Sequence, residues 1–406
     1  AATSVWGSQQ TDLFPDATVD GVFAMLYAKG PGIDRSGDAL KHGNTAGTSR
    51  NGGVLVLAGD DHTCKSSTSA HQSEFGLVDA MIPVLHPAGA QEFLDYGLHG
   101  WALSRYSGLW AGMKLVSETV DTTTSVMIDP ANPRIILPKD GVMPPEGVHI
   151  RWPDDALAKE ERLHRYKIDL ALGYARANGL DRAVIENPGA RLGIVTVGKS
   201  SLDVRQALAQ LGLDDDAARK HGISLYKVAM PWPLEPNGIK AFAEGLDEIF
   251  VIEEKRGLIE PQIRDVLYAL PDGARPRVVG KQDDAGQTLL PSWDELSPAM
   301  IATALVARLE ALGGAGDLKG RATALQERLE RVASDSAPVS RIPYFCSGCP
   351  HSSSTHVPQG SQAFAGIGCH YLVQSMERNT VTFTQMGAEG ANWIGLSPFR
   401  ATNHVF

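Results

Sequence analysis

Three of the chain's four cysteines lie close together in sequence. Cys346 and Cys349 occur in Phe-Cys-Ser-Gly-Cys-Pro-His, and Cys369 follows in Ala-Gly-Ile-Gly-Cys-His. Glycine in both segments eases tight turns, from which several thiolates can point at one shared centre. Clustered thiolates are the ligands of structural zinc and of iron–sulfur clusters. The spacing therefore indicates a metal-ligand role more than a packing role.

Several explanations of this thiol cluster stay open from the residues alone. A disulfide-exchange pair would open a helix beside a strand and would leave the third cysteine without a role. A c-type haem site needs histidine directly after the second cysteine, where Pro350 stands. Structural zinc could use the three thiols with His351 or His370. An iron–sulfur cluster takes four thiolates, and the fourth can come from a remote segment. An inert structural role is also possible.

Cys64 stands apart from the other cysteines in Asp-His-Thr-Cys-Lys-Ser-Ser. A lone cysteine beside the end of a strand could be a reactive thiol if its environment lowered its pKa. Most such residues behave as small buried hydrophobes. The sequence favours the inert role.

The segment from Gly193 to Ser200 satisfies the letter pattern of a phosphate loop, Gly-x-x-x-x-Gly-Lys-Ser. A phosphate loop needs flexible residues after its first glycine, so that backbone amides can surround the phosphates. Here those residues are Ile-Val-Thr-Val, which are β-branched and favour the inside of a strand. We therefore expect a strand that ends in a Gly-Lys-Ser turn and caps a helix from Leu202, with a nucleotide hydrolase as the weaker alternative.

Composition excludes several classes of protein. A chain of 406 residues is long enough for two or three domains. Its net charge of −10 argues against a general nucleic-acid surface, and no apolar run is long enough to cross a membrane. Few cysteines, mostly in one cluster, favour a reducing cytoplasm over a disulfide framework. The chain starts at Ala1 and stops at Phe406 within strand-like sequence, so we expect a piece of a longer protein.

Apolar runs alternate with helical periodicity in two parts of the chain, residues 1–120 and 191–312. Continuous apolar strands between helices predict α/β units with parallel sheets covered on both faces. The loops that leave the carboxyl ends of such strands form the ligand crevice, and in the first unit these are Lys29–Gly32 and 60–74. We predict five segments: an α/β unit (1–120), a proline-rich linker with one helix (121–190), a second α/β unit (191–312), a linker (313–342) and the start of a third unit (343–406).

The motifs together resemble the 2-oxoacid:ferredoxin oxidoreductases, and most closely the indolepyruvate branch in its long single-chain bacterial form. The resemblance rests on Cys-Ser-Gly-Cys-Pro-His, Gly-Ile-Gly-Cys and Gln-Met-Gly near the end of the chain, and on Lys-Gly-Pro-Gly-Ile and Ala-Gly-Asp-Asp near its beginning. It spans essentially the whole chain in the family's domain order. It implies a pyrimidine-binding domain, a transketolase C-terminal-like domain and the start of a diphosphate-binding domain, all of a thiamine-diphosphate enzyme.

The resemblance implies oxidative decarboxylation of a 2-oxo acid, indolepyruvate or another arylpyruvate. Its implied cofactors are thiamine diphosphate, Mg²⁺ and a [4Fe–4S] cluster, with coenzyme A as co-substrate and ferredoxin as electron acceptor. By this carry-over the cluster ligands are Cys346, Cys349 and Cys369. The implied cofactor-binding residues, which lie in two loops near the start and two turns near the end, are Lys29, Gly30, Gly32, Asp60, Asp61, Ser66, Ser67, Gly366, Gly368, Met386 and Gly387. A homo-oligomer without nucleic-acid or membrane partners is expected.

The sequence also departs from the family's pattern. His62 and Lys65 stand where the family usually has proline and histidine, and residues 68–70 intervene before His71. The carboxylate that activates the aminopyrimidine is expected upstream of Ala1, and the Gly-Asp-Gly magnesium motif downstream of Phe406. We therefore expect the 406-residue polypeptide to be inactive alone. The non-enzyme alternative is a zinc-stapled α/β interaction module.

Overall fold

The computed structural model describes residues 1–334, 342–402 and 404–406, in two compact units, 1–329 and 330–406. The first unit holds a four-stranded and a five-stranded sheet, and the second a two-stranded sheet. The predicted α/β class with successive parallel sheets is confirmed. The end of the predicted linker 313–342 falls outside the described residues, and the five segment bounds stay predictions.

The first sheet has the strand order β1-β2-β4-β3, and all its pairs are parallel. Its strands are β1 (Phe23–Lys29), β2 (Gly53–Asp60), β3 (Val84–Leu85) and β4 (Ala111–Val116). Its helices are α1 (Ala2–Ser8), α2 (Gly30–Arg35), α3 (Gly37–Ala46), α4 (Glu74–Asp79), α5 (Ala90–Ser107) and α6 (Ser117–Val120), with a 3-10 turn at Thr11–Leu13. Strand β2 is central and almost wholly buried, as its continuous apolar sequence predicts.

Two expectations for β1 were wrong. It is an edge strand that exposes Phe23, Met25 and Tyr27, so the sheet is not covered on both faces there. No loop follows it, because α2 begins at Gly30 directly after Lys29, with Pro31 in its first turn. Proline fits there because its fixed φ suits the helix and the amide it lacks has no intrahelical partner.

A helical segment follows the proline-rich region. It consists of α7 (Ala156–Arg162), a π-helical turn (Leu163–Lys167) and α8 (Ile168–Ala177). Asp155 begins it by accepting the amides of Leu157 and Ala158, which satisfies two donors that have no intrahelical partner. The π-helical turn directs the fully buried Lys167 towards the first sheet, where its Nζ donates to the carbonyl of Gly108 at 3.2 Å.

The second sheet has the order β5-β7-β6-β8-β9. Its strands are β5 (Arg182–Ile185), β6 (Leu192–Val197), β7 (Ile223–Val228), β8 (Glu248–Ile252) and β9 (Arg277–Val279). Its helices are α9 (Lys199–Gln210), α10 (Asp215–Lys220), α11 (Pro236–Ala243), α12 (Ile259–Tyr268), α13 (Pro298–Ala311) and α14 (Leu318–Ser334), with a 3-10 turn at Asp272–Ala274. Strand β5, which we did not predict, is antiparallel to β7 and closes one edge.

The two sheets of the first unit are joined directly. The amide of Val84 donates to the carbonyl of Trp232 at 2.7 Å, and that of His86 donates to Ala229 at 2.8 Å. Ala229 and Met230 pack into the same apolar cluster as Leu55 of β2. The loops that leave β2 and β8 can therefore meet within one body.

The second unit is built around β10 (Ala363–Ala365) and β11 (Thr380–Phe383), which are parallel. Its helices are α15 (His351–Ser354) and α16 (Ala391–Leu396), with 3-10 segments at Gly368–Ser375 and Ser397–Phe399. Phe345, Ala365 and Val373 form its small core. In the described parts of both units, no helix is both long and apolar enough to cross a bilayer.

Candidate functional site

The loop that leaves β2 is fixed by the two aspartates at its start. Asp60 accepts the amide of Ser73 at 2.8 Å and its hydroxyl at 2.5 Å, which ties the two ends of the loop together. Asp61 accepts the amides of Lys65 and Ser66 at 3.0 and 2.7 Å, which forms a turn within it. Both carboxylates, predicted to bind a cofactor, are thus engaged in shaping this loop.

The amides that Asp61 accepts also affect its ionisation. Burial alone would raise the pKa of Asp61, but donation from the amides of Ser66 and Lys65 outweighs burial and leaves the pKa below its ordinary value. The carboxylate is therefore an anion throughout the neutral range, and the turn is charge-assisted.

Lys29 brings the first two predicted segments together. Its Nζ donates to the carbonyl of Ser66 at 2.5 Å and to the hydroxyl of the same residue at 3.1 Å. Ser67 follows, half-buried, in the same loop. The predicted residues from β1 and β2 therefore lie side by side at one end of the first sheet.

Gly30 allows the β2 loop to approach the start of α2. A Cβ built on Gly30 would lie 2.2 Å from Cγ of His71, so no other residue fits without moving that ring. His71 is held in turn by Asp34, with 3.1 Å between Nε2 and Oδ2. Gly32 is restricted less, since its Cβ would meet only the methyl of Ala28, at 2.8 Å.

A buried ion cluster lies beneath the loop. Nζ of Lys114 is 2.8 Å from Glu74 and 3.7 Å from Asp60, and all three residues are buried. Burial alone would lower the pKa of Lys114, but the carboxylates of Glu74 and Asp60 outweigh burial and raise the pKa above its ordinary value. The lysine therefore stays charged and fixes both ends of the loop to β4.

The segment that matches the phosphate-loop sequence pattern does not fold as a phosphate loop. The first five residues of the pattern lie inside β6, and Gly198, at φ +52°, is the turn into α9. Nζ of Lys199 is already engaged, 2.7 Å from Asp203 and 3.2 Å from Glu254. Helix α9 begins at Lys199, not at Leu202, and no side chain caps it.

A cleft of about 510 Å³ opens between the β2 loop and the segments that follow β8 and β9. His62, Cys64 and His71 line it from the first side, and Lys255 and Arg256 from the other. Lys255 and Arg256 were not predicted as site residues from the sequence. Their position just beyond the carboxyl end of a buried parallel strand could have indicated them, because such sheets bind ligands there. Cys64 is a free, half-buried thiol on this cleft.

The predicted cluster ligands of the second unit lie on neighbouring turns. The amide of Cys349 donates to the carbonyl of Cys346 at 3.0 Å, with Gly348 at φ +76° between them. Cys369 follows Gly368, at φ +70°. The rings of His351 and His370, one from each turn, are 5.3 Å apart between centroids. The two thiol-bearing turns are thus side by side.

The third predicted turn also reaches this region. The amide of Gly366 donates to Nδ1 of His370 at 2.7 Å, and a Cβ on Gly366 would lie 3.6 Å from Glu389. Glu389 accepts the amide of Gly387 at 2.9 Å, and Met386 is largely exposed. Gly366 and Gly387, both predicted to bind the cofactor, are therefore linked through Glu389.

The thiols are available but not arranged around a common centre. All three are free, with Cys346 and Cys369 exposed and Cys349 half-buried. Within the described residues, no group of three or more Cys, His, Asp or Glu is placed to hold a metal ion. The role of Cys346, Cys349 and Cys369 as metal ligands therefore stays a prediction.

The comparisons with known proteins agree with the family resemblance that the motifs indicated. Residues 182–333 match the family model of the indolepyruvate oxidoreductase domain. The chain is 24% identical over 360 residues to indolepyruvate oxidoreductase subunit IorA of Methanothermobacter marburgensis, covering 86% of this chain and 51% of that protein. It is 23% identical over 393 residues to IorA of Thermococcus kodakarensis, covering 94% and 56%. The predicted family resemblance is confirmed.

A solved structure shares the fold. It is a 2-oxoglutarate:ferredoxin oxidoreductase from Magnetococcus marinus with 2-oxoglutarate, coenzyme A and succinyl-CoA bound. It is 15% identical, with a TM-score of 0.50, over 76% of this chain and 55% of that one. The chain spans about half the length of the relatives it matches.

Proposed function

We propose that this chain, a relative of indolepyruvate oxidoreductases within the 2-oxoacid:ferredoxin oxidoreductase family, is part of an enzyme that oxidatively decarboxylates a 2-oxo acid. The observation that carries the proposal is sequence similarity to indolepyruvate oxidoreductase subunits along 86–94% of the chain. The substrate would be indolepyruvate or another arylpyruvate, the products an acyl-CoA and carbon dioxide, and the electron acceptor ferredoxin. We place the enzyme in the cytoplasm, as a homo-oligomer.

When bound, thiamine diphosphate with Mg²⁺ would supply the carbanion chemistry that releases carbon dioxide. The residues of this chain would position the reactants. The contact between Lys29 and Ser66 holds the β2 loop to the end of β1, and the charge of Asp61 keeps the Ser66 turn rigid. In the second unit, the resemblance implies cofactor contacts for the turns at Gly366–Cys369 and Met386–Gly387. The proposal also includes a [4Fe–4S] cluster, for which Cys346, Cys349 and Cys369 would be ligands.

The test uses the full protein that carries this chain, purified without oxygen. We expect reduction of a viologen dye that requires indolepyruvate, coenzyme A and thiamine diphosphate together. Lys29→Met should raise the concentration of thiamine diphosphate needed for half-maximal activity, because Ser66 of the β2 loop loses its hydrogen bonds to the end of β1. Lys41→Met is the matched control, since Lys41 pairs with Asp79 on the exposed side of α3.

Two outcomes would count against the proposal. Activity that does not depend on thiamine diphosphate would reject the reaction class. Activity with 2-oxoglutarate but with no arylpyruvate would reject the substrate.

The 406-residue polypeptide contains no Gly-Asp-Gly sequence, and we expect it not to bind thiamine diphosphate tightly alone.

A further inference from the structure

We infer that Cys64, on the cleft between the β2 loop and the segments after β8 and β9, is a site of reversible modification by a small disulfide that carries carboxylate groups. The proposed function neither includes this reaction nor is required for it. The cleft lies wholly within the first unit and has a volume of about 510 Å³, in the range of small-molecule pockets. Cys64 is therefore not the inert thiol that its sequence context favours.

The β2 loop holds Cys64 at the wall of the cleft. The cysteine is free and half-buried, with φ +55°, and its amide donates to the carbonyl of Asp61 at 3.3 Å. The carboxylate of Asp61 accepts the amides of Lys65 and Ser66, so the same turn fixes the backbone on both sides of the cysteine. A cysteine placed in this way lies at the cleft and not in an apolar core, where thiols are inert.

The opposite side of the cleft is positively charged. Lys255 and Arg256 line it, against a single carboxylate among the described lining residues, that of Asp294. Arg256 lies over the ring of Phe75, with 3.6 Å from Cζ to the ring centroid, and no carboxylate of the described residues pairs with its guanidinium. Reactive cysteines occur in partly exposed, electropositive surroundings of this kind. Positive charge in a cleft also raises the local concentration of an anionic reagent.

The cleft is also lined by an imidazole that has no partner. His62 is 1% exposed, and neither of its ring nitrogens has a hydrogen-bond partner among the described residues. Buried polar groups normally have one. Burial lowers the pKa of His62 far below its ordinary value, and nearby Lys114 lowers it further, so the ring is neutral and offers one N–H donor and one acceptor. A ligand with both carboxylate and amide groups, such as a peptide-like disulfide, can meet both nitrogens.

The reaction is thiol–disulfide exchange. The thiolate sulfur of Cys64 attacks one sulfur of the small disulfide, so that a new S–S bond forms and the old one breaks. The leaving sulfur takes the electron pair of the broken bond and then a proton, and a small thiol is released. The small disulfide is the oxidant, and a reducing thiol reverses the reaction. A carboxylate on the bound half can pair with Arg256, whose flat fork of donors suits it.

Two disulfides of opposite charge test the inference. The reduced 406-residue protein is incubated with glutathione disulfide, which is anionic, or with cystamine, which is cationic, and peptide mass spectrometry measures the rate of adduct formation at each cysteine. Cys346 and Cys369 are internal comparators, because both are exposed and residues 342–377 contain no lysine or arginine. We expect the preference for glutathione disulfide over cystamine to be at least about tenfold greater at Cys64 than at the comparators, and to decrease in high salt.

Variants assign the preference to the cleft. Arg256→Gln should slow the reaction of Cys64 with glutathione disulfide about threefold or more, because the cleft loses a positive charge. Arg256→Lys keeps the charge and should retain most of the rate. Arg165→Gln is the matched control, because Arg165 also lies over an aromatic ring but outside the cleft. Circular dichroism checks the folding of each variant, and dithiothreitol should remove the adduct.

Several results would overturn the inference. The first is the absence of an adduct at Cys64 under conditions that modify Cys346 and Cys369. The second is the same preference between the two disulfides at all three cysteines. The third is equal slowing of the Cys64 reaction in Arg256→Gln and Arg165→Gln.

Discussion

Nζ of Lys199 lies 3.2 Å from Oε1 of Glu254, although the two residues follow different strands of the second sheet. The amide of Leu296 donates to the same carboxylate at 3.0 Å, so the pair joins β6, β8 and the segment before α13. The lysine of an apparent phosphate loop is therefore a structural cation. Glu254 is its main buried partner.

Lys199→Met should destabilise the protein by about 3–5 kcal/mol at pH 8, because it leaves Glu254 buried without a cation. Burial already raises the pKa of Glu254 with Lys199 present, and loss of the lysine raises that pKa further. The variant can then protonate Glu254, so the loss should be smaller at pH 5. Urea unfolding at the two pH values measures both effects.

A second substitution separates this explanation from nucleotide binding. Lys199→Met with Glu254→Gln should recover part of the lost stability, since the amide oxygen of glutamine can still accept from Leu296. Arg165→Gln, which removes an exposed pair with Glu161, should cost less than about 1 kcal/mol. Equal stability of the single and double variants, or ATP binding that Lys199→Met abolishes, would contradict the assignment.

Lys167 should make stability increase with pH. Burial lowers the pKa of Lys167 to about 7 in the folded protein, from the ordinary value of 10.5. Between these values the unfolded chain binds more protons than the folded one, so the free energy of unfolding rises with pH. From pH 7.5 to 10 the parent protein should gain stability relative to Lys167→Met, whose side chain does not titrate. If urea unfolding showed the same change of stability with pH in the parent protein and in Lys167→Met, the prediction would be contradicted.

Asp181 should make the free energy of unfolding decrease as pH rises. Burial raises its pKa to about 7, from the ordinary value of 3.8, even though Oδ1 accepts the amides of Ala229 and Met230 at 2.7 and 3.0 Å. The folded protein binds more protons than the unfolded chain between these values, so this contribution to stability is lost as pH rises from about 4 to 7. Asp181→Asn keeps an acceptor and removes the charge.

We expect Asp181→Asn to be more stable than the parent at pH 8 and to lose that advantage near pH 4. Thermal unfolding across this range measures the difference. Asp155→Asn is a suitable control, because Asp155 also accepts two amides at a helix start but lies in an exposed position. A lower Tm for Asp181→Asn at pH 8 would show that the carboxylate is needed as an anion.

The sequence predicted most elements where periodicity was simple. The second α/β unit, predicted over residues 191–312, does contain the parallel strands β6, β8 and β9, since continuous apolar runs between helices have few other solutions in an α/β chain. Strand β5 was missed because Arg182–Ile185 is short and half-exposed, and only pairing with β7 makes it a strand. The start of α2 was missed because Gly-Pro-Gly is typical of a turn in isolation.

The site was predictable only where residue type determined the contact. The pattern Asp60-Asp61 with Ser66-Ser67 indicated a functional loop, but not that both carboxylates would be used to fold it. Arg256 is not part of a recognisable motif, and the position of its guanidinium depends on contact with the ring of Phe75, far away in sequence. Long-range placement of this kind follows from how the two sheets dock, which no local pattern contains.

The thiol cluster yields the last prediction. Anaerobic reconstitution of the full protein with iron and sulfide should give a brown protein with broad visible absorption and about four irons per cluster. Cys349→Ser should abolish this absorption, because Cys349 is the half-buried thiol against the Phe345 core and is best placed to anchor a cluster. Ser352→Ala, on the same segment, should leave it unchanged. Colourless protein with one bound zinc, lost in Cys349→Ser, would show instead that the thiols hold a structural metal.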